Sequence, residues 1–213
     1  MPVTAWKLVV PAALVLLAGC AGKGDITEGG ITAVRTACPT VEIPAGTGDV
    51  TLFNPATSHD ESALDLVATM TDVRSTCNDA GAQVVTTITF QVNAIRSHTE
   101  AARDVTLPFY VAVVQGGTAV VSKHTSQVSL HFNAGQARAT TSGQATANVL
   151  RSAATLPEDI RRELTKPRKA GQEDAAIDPL SRPNVKQAVL RATFEALVGF
   201  QLTEDQLKYN ATR

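Results

Sequence analysis

Between residues 64 and 150, apolar side chains recur at every second position, the period of strands buried on one face. Leu64, Leu66, Ala68 and Met70 alternate with Asp65, Val67, Thr69 and Thr71 in a run that leads into Cys77. Asn78-Asp79-Ala80-Gly81 marks a turn. Val84, Thr86, Ile88, Phe90 and Val92 then share one face, against Val85, Thr87, Thr89, Gln91 and Asn93 on the other. After a polar loop over 97–103, Val105, Leu107, Phe109, Val111 and Val113 form the next inward row. Pro108 within that row suggests an edge or irregular position, because proline offers no ladder donor. Gln115-Gly116-Gly117-Thr118 lies between two apolar runs and predicts a tight hairpin into Ala119–Lys123. Val128, Leu130 and Phe132 continue that side, Asn133-Ala134-Gly135-Gln136 turns the chain, and Ala137–Leu150 reads as a threonine-rich strand.

The flanks extend the pattern. Cys38–Ile43 is a strand candidate closed by Pro44, Asp49–Phe53 a short continuation, and Asn54-Pro55 a turn. Near the C-terminus two periods compete. Leu190, Ala192, Phe194, Ala196, Val198, Phe200 and Leu202 alternate as a strand would. A helix through Val185, Val189, Phe194 and Leu197 fits the first half but leaves Gly199, Phe200 and Leu202 without an account, so a strand is expected. Thr203 opens Thr-Glu-Asp-Gln, a capping-box pattern. It predicts a short helix over Glu204–Asn210 that lays Leu207 and Tyr209 against the rest. Seven or eight strands with turns every ten to fifteen residues predict an all-β fold, an antiparallel, immunoglobulin-like β-sandwich spanning 38–213. The only tryptophan is Trp6, so the core tryptophan of antibody domains is missing, and the expectation concerns architecture alone.

One stretch breaks the alternation. Residues 157–183 hold six basic and six acidic residues and four prolines. Pro157–Leu164 suits a short helix, with proline at its first position and acids in its first turn. Beyond it a long mobile loop is expected between the last two strands. Loops of that length are usually functional or disordered. Lys166, Arg168, Lys169, Glu173 and Asp174 are therefore candidate partner-docking residues, and a solvated insertion without a partner is the competing reading.

The N-terminus has a different pattern. Lys7 is the only charge before an apolar run over Leu8–Leu17, too short to span a bilayer, which needs roughly 20 apolar residues. The run ends in Leu17-Ala18-Gly19-Cys20. This resembles the lipobox of bacterial lipoproteins, in which leucine and two small residues precede a cysteine read by a dedicated peptidase. The resemblance implies a signal peptide over 1–19 and a lipid-modified Cys20. Two or three acyl chains, at about 0.8 kcal/mol per buried CH₂, make a stable membrane anchor. No aspartate follows Cys20, which in lipoproteins of two-membrane bacteria implies the outer membrane, facing the periplasm. Residues 20–37, rich in glycine, read as a flexible tether.

Cysteine usage fits that compartment. With Cys20 lipidated, Cys38 and Cys77 are left to form a disulfide in an oxidising envelope, closing a loop of about 40 residues. Two free thiols are the alternative; a metal site is disfavoured, since His59 is the only intervening histidine. Cleavage would leave 18 basic and 20 acidic side chains, which argues against a nucleic-acid partner. Nine aromatics are few for carbohydrate platforms.

No catalytic motif stands out. HExxH, GxSxG, phosphate-loop and CxxC patterns are absent from the sequence. His59-Asp60-Glu61 reads as a solvated loop, and His124 and His131 fall on opposite faces of their strand. No cofactor is called for. The expected role is non-enzymatic: an envelope lipoprotein that binds or scaffolds another envelope protein. The alternative is one that binds a small ligand or cell-wall material, and a concave apolar site with converging polar groups would point to it.

Overall fold

The computed structural model describes residues 36–166 and 177–212. The expected signal segment, Cys20 and most of the expected tether lie outside the described residues, as do Arg168, Lys169, Glu173 and Asp174.

The chain folds as a β-sandwich of two four-stranded sheets. One sheet runs in the order β1 (Thr40–Glu42), β8 (Phe194–Phe200), β5 (Arg103–Gln115), β6 (Ala119–Phe132). The other runs β2 (Asp49–Phe53), β3 (Leu64–Asn78), β4 (Gln83–Arg96), β7 (Arg138–Leu150). All pairings are antiparallel except β1 with β8. The alternation in the sequence is the cause. The rows Val84–Val92 and Val105–Val113 are buried and face each other across the sandwich, where Phe90 meets Phe109 edge-on at 5.0 Å. Val128, Leu130 and Phe132 close the same core.

Two glycines are required by close approach. Gly143 on β7 pairs with Phe90, and a Cβ there would stand 2.2 Å from the Phe90 ring, so the ring lies over bare backbone. Gly199 on β8 admits Thr47, whose Oγ1 would lie 2.3 Å from a Cβ. The Thr47 carbonyl accepts from the Phe200 N–H at 2.8 Å. In the three-residue loop from β5 to β6, Gly116 and Gly117 both take positive φ, which glycine adopts without strain, and the Thr118 N–H donates to the Gln115 carbonyl at 3.4 Å.

Pro108 sits in an interior strand, not at an edge. The ladder tolerates it because β8 stops at Phe200, opposite Phe109, and the Pro108 carbonyl accepts from Gln201 just past the strand end. The missing donor therefore falls where the neighbour has finished.

Three expectations need correction. The strand anticipated from Leu190 begins only at Phe194. Pro183–Arg191 is a helix, because Val185, Ala188 and Val189 lie on one helical face and bury together with Ile160. The expected loop after Leu164 is partly structured. α1 (Arg151–Ala154), α2 (Glu158–Thr165) and α3 (Pro183–Arg191) bridge β7 to β8, with a 3₁₀ turn at Pro179–Ser181 capped by Asp178. An Arg182–Glu163 ion pair ties α3 to α2. Short apolar residues spaced three and four apart made this small core hard to tell from a strand. Finally, Ala37 is half-buried against the main core, so the tether cannot extend to it.

The expected disulfide is present: Cys38, just before β1, bonds Cys77 near the end of β3 and joins the two sheets. The capping box is also formed. The Thr203 N–H donates to Gln206 Oε1 at 2.9 Å, and the Gln206 N–H donates to Thr203 Oγ1 at 3.3 Å, opening α4 (Glu204–Thr212). Tyr209 packs on Phe53 as expected, whereas Leu207 points to solvent. No helix of the described residues is long and apolar enough to cross a membrane.

Candidate functional site

The two ends of the sandwich differ in chemistry. The head, where β3 meets β4 and β5 meets β6, carries the disulfide and helices α1 to α3. The foot, where β4 runs into β5 and β6 into β7, gathers most of the buried charge.

The inward row of β4 does not end with an apolar residue. Its period of two passes through Val92 and Ala94 and lands on Arg96, which is buried. Its guanidinium has no carboxylate partner. It donates instead to four carbonyls: Gln136 (2.9 Å), Ala101 (2.8 Å), Asn133 (2.9 Å) and Thr99 (3.3 Å). The charge also stands 5.0 Å from the centre of the Phe132 ring. One side chain thus fixes both foot loops, 97–102 and 133–137. Sequence reasoning missed it, though the signal was there, since extending the alternation by two places reaches an arginine.

Beside it, Asp65 takes a bidentate pair from Arg103, at 2.6 and 2.8 Å, across the foot from one sheet to the other. The β2–β3 register slips by one between Leu52 and Phe53, leaving Asp65 at a bulge. Bulges re-aim side chains in this way. The hydrogen bond from Arg103 holds the Asp65 carboxyl below the usual carboxylate range, against the opposing effect of burial; the Arg103 charge and that of His98 add to the lowering.

A cavity of about 490 Å³ opens next to this pair. α4 forms one wall, and β2 with the loop after it the other. Phe53, His59 and Tyr209 line it and touch one another, with ring centres 5.1 to 5.5 Å apart. His59 was expected in a solvated loop; it is exposed but belongs to this aromatic cluster, while Asp60 and Glu61 stay in solvent. Thr51 and Asp65, both buried, line the cavity, and among the described residues the Thr51 hydroxyl has no hydrogen-bond partner. Leu52, Ala56, Thr57, Thr203, Asp205 and Gln206 complete it.

Elsewhere the histidines stand apart. His131 is exposed, with Nδ1 2.7 Å from Asp104 Oδ1 and Nε2 3.3 Å from Asn133 Oδ1. The hydrogen bond to Asp104, helped by its charge, raises the imidazole pKa above 6.5. His124 lies on β6 well away from it. Among the described residues, no three His, Cys, Asp or Glu side chains come close enough to hold a metal ion. Of the charged residues named for partner docking, Lys166 lies exposed at the end of α2.

The remaining surface of note is β6. It is hydrogen-bonded to β5 along one side only, at the edge of its sheet. From Ala119 to Gln127 its side chains are exposed on both faces, apart from half-buried Ser122. Val120 and Val121 are 64 and 52 % exposed. The core-facing period resumes only at Val128, so nothing of the opposite sheet covers the first half of this strand. A wider, more open groove at the head, about 720 Å³, is lined by Ala82, Leu150, Arg151, Ser152, Thr155, Leu156 and Pro157.

Comparison of the chain with protein-family models, with curated proteins and with solved structures found no match.

Proposed function

We propose that this protein is a lipid-anchored bacterial envelope protein that docks an extended segment of another envelope protein along β6. The carrying observation is the nine-residue stretch Ala119–Gln127, an edge strand bonded on one side and exposed on both faces. A strand in that state offers a row of backbone donors and acceptors to an incoming strand, with side chains on either face to set preference. The lipobox-like Leu17-Ala18-Gly19-Cys20 and the Cys38–Cys77 disulfide support the compartment. The role is binding, with no chemistry assigned to the chain.

The test is photo-crosslinking in cells from probes placed at Val120 and at Ser126 of the full-length protein, with Cys20→Ala as the anchor control. One discrete adduct from both positions, lost without the anchor, is the expected result. A partner that crosslinks from the head helices while β6 stays silent would overturn the assignment of the surface.

A further inference from the structure

The foot cavity is a different observation and does not depend on the reading of β6. We infer that it is a binding site for an alkylammonium group. The lining combines the phenyl and phenol rings of Phe53 and Tyr209 and the imidazole of His59 with two carboxylates, Asp65 and Asp205, and contains neither lysine nor arginine. Aromatic faces carry negative quadrupole charge and attract ammonium groups, while their bodies cover the alkyl stem. Asp205, exposed on the first turn of α4, disfavours an anion.

The carboxylates are free to contribute. Asp65 gives two lone-pair directions to Arg103, and an ionised carboxylate has about four, so it can accept further bonds. Asp205 lies at the mouth, on the first turn of α4. The nearby ammonium of Lys208 is held chiefly by Glu204, at 2.9 Å, against 4.0 Å to Asp205. Deeper in, the buried Thr51 hydroxyl, closed to solvent and without a hydrogen-bond partner among the described residues, underlies the floor of the cavity. A positive helix end would oppose a cation, but the capping box and the acids Glu204 and Asp205 already answer the N-terminus of α4. The volume lies within the range of small-ligand sites.

An alkylammonium group reaches such a site either as a free amine or as the lysine side chain of a polypeptide. Both are tested by following the backbone and ring resonances of the isotope-labelled full-length protein. The probes are n-butylammonium, the neutral 1-pentanol, the anionic pentanoate, and the blocked tripeptide acetyl-Gly-Lys-Gly-amide. Saturable shifts at Phe53, His59, Thr203 and Tyr209 are expected with butylammonium. Affinity for pentanol should be at least about threefold weaker, and pentanoate should leave the spectrum unchanged. The exposed substitution Asp205→Asn should weaken butylammonium about threefold with the fold intact. A tripeptide that binds more tightly than butylammonium identifies a polypeptide source, and one that binds more weakly a free amine. Equal binding of pentanol and butylammonium, or no saturable shift with either cation, would overturn the inference.

Discussion

The foot and the head of the sandwich solve the same problem by opposite means. Each must fasten two sheets together where the strands run out and the facing side chains no longer meet. At the head this is done covalently and with apolar packing: the Cys38–Cys77 bond, then the small core of Ile160, Val185, Ala188 and Val189 in the helices between β7 and β8. At the foot it is done with charge. Arg96 gathers loop carbonyls from both sides of the fold, and the Asp65–Arg103 pair crosses between sheets. Covalent fastening limits the unfolded chain and tolerates exposure, which is why Cys77 can stand in solvent. Fastening by charge depends on each charged group finding its partners, and at the foot Arg96, Asp65 and Arg103 meet that condition.

Arg96→Leu is the sharpest way to break that comparison. The substitution removes the charged donor of four loop carbonyls, at about 1.5–3 kcal/mol for each bond that water does not replace. A loss of about 3–5 kcal/mol in urea denaturation is expected, the worth of about two charge-assisted hydrogen bonds. Hydrogen exchange should show the loosening first in 97–103 and 133–137. A loss below about 1 kcal/mol would mean that the carbonyls are served otherwise and that the foot is held by Phe132 and its apolar neighbours.

At the head the corresponding test is the double substitution Cys38→Ala with Cys77→Ala. The bond spans a sequence separation of 39, and the chain-entropy model assigns a loop of that size about 4 kcal/mol, with measured effects commonly about 2–4. Reduced stability with the foot loops still protected from exchange would separate the two fastenings. If Arg96→Leu and the cysteine pair gave the same pattern of lost protection, the ends would be one cooperative unit.

The sequence made the sandwich legible because eight strands of a two-layer fold must each present one apolar face, and the period of two survives in β3, β4 and β5 with few interruptions. The rows through Phe90 and Phe109 could be placed on the core side before any coordinates. The head helices were harder. Val185, Ala188 and Val189 are small, and the run Leu190–Leu202 continues straight from helix into strand with apolar residues compatible with either period. The foot was hardest of all. Arg96 continues the inward row of β4 but is charged where the pattern expects an apolar residue, and Asp65 leaves the outward row only because of the bulge at Leu52–Phe53. The aromatic cavity shares that cause: Phe53, His59 and Tyr209 are more than 150 residues apart at their extremes, and the docking of α4 by Asn210 on the carbonyls of Gly46 and Asp49 brings them together.

Acid should unfasten the foot before the head. A carboxyl held below its unfolded pKa contributes stability that is fully present above about pH 4, the ordinary aspartate range, and that fades as pH falls through the folded value. Denaturant midpoints measured from pH 6 down to pH 2 should therefore decline in the wild-type protein. Asp65→Asn should begin lower at pH 6 and decline less steeply, since the titrating group has gone. Parallel curves would show that the acid sensitivity comes from other carboxylates.

The smallest effect belongs to His131, and its sign is opposite. Its hydrogen bond to Asp104 raises its pKa in the folded state, so the contribution is complete below about pH 6.5, the ordinary histidine value, and disappears as pH rises through the folded value. Because the ring is exposed, the pair lies outside the buried fastening of the foot and should leave stability nearly untouched. The change is visible instead in the imidazole resonances. His131 should titrate above 6.5 in the wild-type protein, and Asp104→Asn should return it toward that value while the Arg96 contacts and the urea midpoint stay in place. If the midpoint fell together with the pKa, the charge network of the foot would extend to its surface, and the boundary between buried fastening and solvated pair would have to be drawn further out.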